Sequence, residues 1–139
     1  MLIPDPSRSR LRTARCLAHL CIARMVVATL PFRWWRETLG DTGIVGWSES
    51  VPLDARRTAA HVEWAAKLLP FETKCLPRAM ALSWILRSGR VRHCVVFAVR
   101  PLRQRHSNDQ LHAWVEVDGV TILGNLPGDW VETLRLGDK

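Results

Sequence analysis

Two residues carry the types and placement needed for covalent chemistry at a carbonyl. Cys75 opens an apolar run that ends at Gly89, with Pro77 two residues inside it. Proline suits the first turn of a helix, where a backbone N–H has no helical partner in any case. Cys75 is thereby expected at a helix N-terminus, whose partial positive charge favours thiolate over thiol. A nucleophilic thiolate needs a base within reach, most often an imidazole. Of the five histidines, His19 and His61 fall in helical patterns, His93 begins a strand beside Arg92, and His106 sits in a polar stretch. His112 opens the first strand of a hairpin, a fixed element suited to holding an imidazole. Cys75 and His112 are therefore the expected nucleophile and base.

The hairpin also suggests what orients that ring. Asp118-Gly119 between two alternating runs is a strong turn signal. With a two-residue turn, Val117 faces Val120, Trp114 faces Leu123 and His112 faces Asn125. Facing side chains have Cβ atoms about 5 Å apart, so Asn125 is expected to hydrogen-bond the ring, as in Cys-His-Asn enzymes. Asp118 lies about 20 Å along the strand from His112. Asp118 and Asp129 of the tail are the competing carboxylates, and one bulge would displace the partner by a residue. The Cys75 amide is the natural first oxyanion donor. Arg78, one turn on, reads as a solvent-facing residue or as a contact to a substrate carboxylate. The other cysteines (Cys16, Cys21, Cys94) lie in apolar patterns and read as small buried hydrophobes. C-x-x-C pairs are absent, and a zinc site on Cys75 and His112 lacks two ligands. No cofactor or metal is expected.

Positioning these groups takes a core, and 139 residues with 47% apolar and 24% charged suffice for one domain. Residues 1–12, with Pro4, Pro6, Ser7 and Ser9, read as a flexible arm, leaving 13–139 as the domain. A first helix is expected over 13–35, with Leu17, Leu20, Cys21, Met25 and Ala28 as its apolar positions and Pro31 interrupting it. A loop follows over 40–46. A second helix starts near Asp54, carries Thr58, Val62, Ala65, Ala66 and Leu69 on one side, and stops at Pro70. The Cys75 helix is apolar on nearly every side, which makes it central. Residues 91–100, 112–117, 120–125 and 130–136 read as strands, with a polar loop over 102–110. Helices followed by antiparallel strands make an α+β domain.

A net charge of +7 and a pI near 10.2 favour acidic partners. No basic stripe interleaved with aromatics and no nucleic-acid motif is visible, so nucleic acid is not expected. The apolar run 16–30 contains His19 and Arg24 and is too short and polar to span a bilayer; it also lacks a signal cleavage site. Reduced thiols and a cytoplasmic location follow as expectations.

The run Cys75-Leu-Pro-Arg-Ala-Met-Ala-Leu, then Leu86-Arg-Ser-Gly, then Leu111-His-Ala-Trp-Val-Glu-Val-Asp-Gly resembles the B proteins of lasso-peptide biosynthesis. The likeness is to their transglutaminase-like peptidase half (B2) and covers residues 56–125. It implies a papain/transglutaminase-like fold and an enzyme that removes the leader from a ribosomally made precursor peptide. A separate ATP-using cyclase then closes the freed core amine onto an Asp or Glu side chain. Cys75 maps to the family's nucleophile and His112 to its histidine. The usual third residue is an Asp downstream of the histidine, and Asn125 stands near that place. Fused B proteins also carry an N-terminal leader-binding domain, for which this chain leaves no room. A separate leader-recognition protein (B1) is thus implied as a partner, beside the precursor peptide and the cyclase. Residue chemistry without the resemblance equally allows transglutaminase-like or N-acetyltransferase-like acyl transfer, or a non-catalytic scaffold that presents a peptide.

Overall fold

A computed structural model describes residues 6–39, 53–71, 74–88, 91, 93–100, 111–117, 120–124 and 130–137. Helix α1 (Pro6–Thr29) starts well ahead of residue 13. Residues 6–12, expected in the flexible arm, are its first turns, because Pro6 has the φ of a first helical turn and Arg, Leu and Ala propagate it. The buried residues of α1 are Cys16, Leu20 and Ala23, at i, i+4 and i+7. Cys21 and Met25, expected on that stripe, are exposed. At 3.6 residues per turn they lie about 140° and 180° around the helix from Cys16. Pro31 ends α1, since the residue before a proline is pushed out of helical conformation. Helix α2 (Phe32–Trp35) and a 3-10 turn (Arg36–Thr38) follow.

Helix α3 (Leu53–Leu68) buries Ala55, Ala59, Val62, Ala65 and Ala66. Helix α4 (Cys75–Ser88) buries Ala79, Met80, Ala81, Leu82, Ser83, Ile85 and Leu86, and packs against α1, α3 and the sheet. Its central place is the one its all-round apolarity demands. Arg78 pairs with Glu63 of α3 at 2.9 Å, so it staples the two helices instead of facing solvent alone. Ser83 meets the buried ring of His93 at 2.7 Å, Oγ to Nε2. Among the described residues no helix is long and apolar enough to cross a membrane.

Four strands form one antiparallel sheet: β1 (Cys94–Val99), β2 (Leu111–Val117), β3 (Val120–Leu123) and β4 (Val131–Gly137), in the order β3-β2-β1-β4. Val95, Ala113, Val115, Val117 and Leu123 join the core shared with the helices. On the other face Arg135 ties three strands, reaching Glu116 at 2.8 Å, the Cys94 sulfur at 3.0 Å and Glu132 of its own strand. The fold is α+β, as the order of elements implied. The 40–46 loop, the 102–110 segment and the Asp118-Gly119 turn lie outside the described residues.

Candidate active site

Cys75 is the first residue of α4 and is half-buried. The Lys74 carbonyl accepts the first helical bond, from Arg78, at 3.5 Å. The Cys75 amide is then one of the N-terminal donors that a helix cannot satisfy internally. His112, the second residue of β2, is buried at 5% exposure. Because α4 packs against β2, the thiol lies beside the His112 ring and the Ala113 amide, near enough for both to act on its pKa. The structure thus brings together two residues that lie 37 positions apart (112 − 75).

The ring's hydrogen bonds settle its tautomer. Nε2 of His112 lies on the Gly124 carbonyl at 2.5 Å. A carbonyl only accepts, so Nε2 carries the proton and Nδ1 is left for the Cys75 sulfur. Burial pushes the Cys75 thiol up, but the ring, the Ala113 amide, the ring's charge and the Leu76 amide together bring it below 9.0. Burial likewise pushes His112 down. The Cys75 hydrogen bond, the Gly124 carbonyl and the sulfur's charge outweigh that and the opposing Arg100 charge, and lift it above 6.5. Both shifts favour a thiolate–imidazolium pair.

Two indoles flank the imidazole, with centroids 5.7 Å (Trp114) and 5.0 Å (Trp130) from its own. Arg100 lies over the Trp130 ring at 4.3 Å. These walls cover apolar faces of the imidazole and leave its two nitrogens for directed bonds. Trp130 arrives from just before β4, a long-range placement for which the sequence carries no local sign.

The hairpin departs from the expected register. Val117 pairs with Val120 and Glu116 with Thr121, as the two-residue turn requires, but Val115 pairs with Leu123. A bulge between Val115 and Glu116 shifts the expected Trp114–Leu123 pairing by one residue. Asn125, Asp118 and Asp129 lie outside the described residues. The partner observed on Nε2 is a main-chain carbonyl, and its residue is special. Gly124 has φ +86°, and a Cβ there would stand 3.0 Å from the Ala113 oxygen and 3.1 Å from the Trp114 Cβ. Glycine is required by conformation and by space alike. The available signal was that glycine itself, because glycine within a strand pattern marks a bulge or a close backbone approach.

A half-buried thiol at a helix start, facing a ring held on an antiparallel sheet, is the arrangement of an α+β cysteine enzyme. The Transglutaminase-like superfamily profile matches residues 26–134, from within α1 into β4. The chain belongs to that superfamily, whose members are typically cysteine-dependent enzymes. No curated protein and no solved structure gives a significant match.

The pair has a pH signature that needs no substrate. Thiolate is gained as pH rises through the lowered Cys75 pKa, so alkylation of Cys75 by iodoacetamide should begin to rise below pH 9.0. A second rise is expected above 6.5, where the imidazolium is lost and the thiolate becomes more basic. In His112→Ala the first rise should move upward, slowing alkylation at neutral pH by about tenfold. Peptide mapping by mass spectrometry reads Cys75 separately from Cys21. A profile unaltered by His112→Ala would show that the ring does not act on the thiol.

Proposed function

We propose that the chain is a cysteine peptidase that removes the leader from a ribosomally made lasso precursor peptide, before a separate cyclase closes the ring. The observation that carries the chemistry is the His112 ring, held by Nε2 on the Gly124 carbonyl beside the half-buried thiol of Cys75. The likeness of residues 56–125 to lasso B2 proteins supports the choice of substrate, and superfamily membership supports the enzyme class.

Cys75 thiolate attacks the carbonyl at the end of the leader, and the Cys75 amide stabilises the oxyanion. The C–N bond breaks as His112 Nδ1–H passes its proton to the departing core amine. A leader thioester on Cys75 and a neutral ring remain. Nδ1 then takes a proton from water as the hydroxide adds to the thioester, the C–S bond breaks, and the leader leaves as a carboxylic acid. Cys75 thiolate and His112 imidazolium are restored.

A separate leader-recognition protein supplies the precursor in this reading, by raising its concentration near Cys75. Mass spectrometry of precursor incubated with the chain should show cleavage rising tenfold or more when that protein is added. Equal rates at micromolar precursor would remove the two-protein reading. The superfamily also supports a second outcome for the same thioester, capture by an amine in acyl transfer. Adding a primary amine separates the two, since hydrolysis leaves the leader as an acid and transfer leaves it as an amide.

A further inference from the structure

The far end of α4 holds a second feature that leader removal does not use. Arg12 and Arg15 of α1, Thr58 and His61 of α3, and the aliphatic side chains of Ile85 and Leu86 line a cavity of about 220 Å³. A wider cavity of about 300 Å³ adjoins it through the shared His61 and is bordered by Thr13, Arg57, Ala60 and Trp64. The two form one groove along the α1–α3 seam. Counting along α4, Ile85 lies roughly 15 Å from Cys75 at the helical rise per residue, so the groove is separate from the thiol.

Three features of the groove select its occupant. Arg15 and Arg57 make its lining basic, and no Asp or Glu lines it among the described residues. Arg15 is held at the mouth by a 2.6 Å bond from Nη2 to Ser88 Oγ, which orders the guanidinium before any ligand arrives. The inner cavity is floored by aliphatic side chains and is smaller than the roughly 300–1,000 Å³ of small-molecule pockets. It suits one apolar side chain. Trp64 stands 58% exposed at the other end, and an uncovered indole is a common interface anchor. A nucleic-acid strand would call for several stacking rings along a basic track, and the groove offers one.

We propose that this groove binds an acidic peptide segment, its carboxylates on Arg15 and Arg57 and an apolar side chain seated over Ile85 and Leu86. The binding is independent of the chemistry at Cys75 and stands or falls apart from the peptidase reading.

Fluorescence anisotropy with labelled Glu-Glu-Leu-Leu-Glu-Glu, its glutamine counterpart and its serine-for-leucine counterpart tests the proposal. The acidic apolar peptide should bind at least tenfold more tightly than either control. Arg57→Glu and Ala60→Glu, both at exposed positions of α3, should each weaken it at least tenfold with circular dichroism unchanged. Arg33→Glu, exposed on α2 outside the groove, makes the same change in net charge as Arg57→Glu and should alter binding less than twofold. Equal binding of the glutamine peptide, equal weakening by Arg33→Glu, or tighter binding of an oligothymidylate weakened by the same α3 variants would each overturn it.

Discussion

Cys75→Ala and His112→Ala are each expected to lower leader removal by about a thousandfold or more, with the fold retained. In the proposed mechanism the sulfur forms the bond to the substrate, and the ring both holds it as thiolate and protonates the leaving amine. The two act as a unit, so the double variant should be hardly worse than either single one. Cys75→Ala is mild for the fold, since alanine keeps the helix and the thiol is only half-buried. His112→Ala leaves the Gly124 carbonyl without its donor and should cost about 1–3 kcal/mol of stability, visible as a lower melting temperature. Cleavage followed by mass spectrometry on variants that melt cooperatively is the test. Retention of activity within a few-fold in either variant would defeat the mechanism.

Gly124→Ala should be the most damaging substitution away from the thiol and the ring. Its φ of +86° is costly for any side chain, and the added Cβ has only 3.0 Å to the Ala113 oxygen. The backbone must move to relieve this, and the carbonyl moves off Nε2. A misplacement of about 1 Å at the reacting groups is enough for a hundredfold loss in kcat. A readout of pH separates loss of ring positioning from mere destabilisation. Gly124 is one of the groups that raise His112, so the alkaline limb of the activity profile, where imidazolium is lost, should move to lower pH in the variant. A lowered melting temperature with that limb unmoved would assign Gly124 to structure alone. Asn125→Ala is the companion measurement. If the main-chain carbonyl suffices, the rate should stay within a few-fold, whereas a loss as large as that of Gly124→Ala would give the amide the third role.

The helices were legible because their signals are local. Pro77 and the apolar run after Cys75 placed α4 and its thiol, and Pro70 stopped α3 where expected, whereas Pro31, expected only to interrupt a helix running to residue 35, ended α1 at Thr29. The phase of α1 was less so, because Cys16, Ala23 and Cys21 differ little in apolarity, and only packing decides which of them turns inward. The hairpin followed from Asp118-Gly119 as far as Glu116 and Thr121, and then lost register at a bulge. No residue type in β2 announces that bulge. Gly124 hinted at it, but its meaning depends on the backbone of Ala113 and Trp114 coming close. The indole of Trp130 against His112 was out of reach for the same reason, since chain closure sets it and not spacing.

The Ser83–His93 bond bears on how the site keeps its alignment. The surfaces of α4 are mostly Ala, Leu, Met and Ile, and apolar packing carries no direction of its own. Slipping the helix by one residue would translate Cys75 by about 1.5 Å and rotate it by about 100°. A hydroxyl-to-imidazole bond of 2.7 Å, buried two turns beyond Cys75, tolerates neither movement. It works as an index pin, meshing the helix with the strand that His93 leads into, so that the thiol meets its ring at a single tooth of the gear.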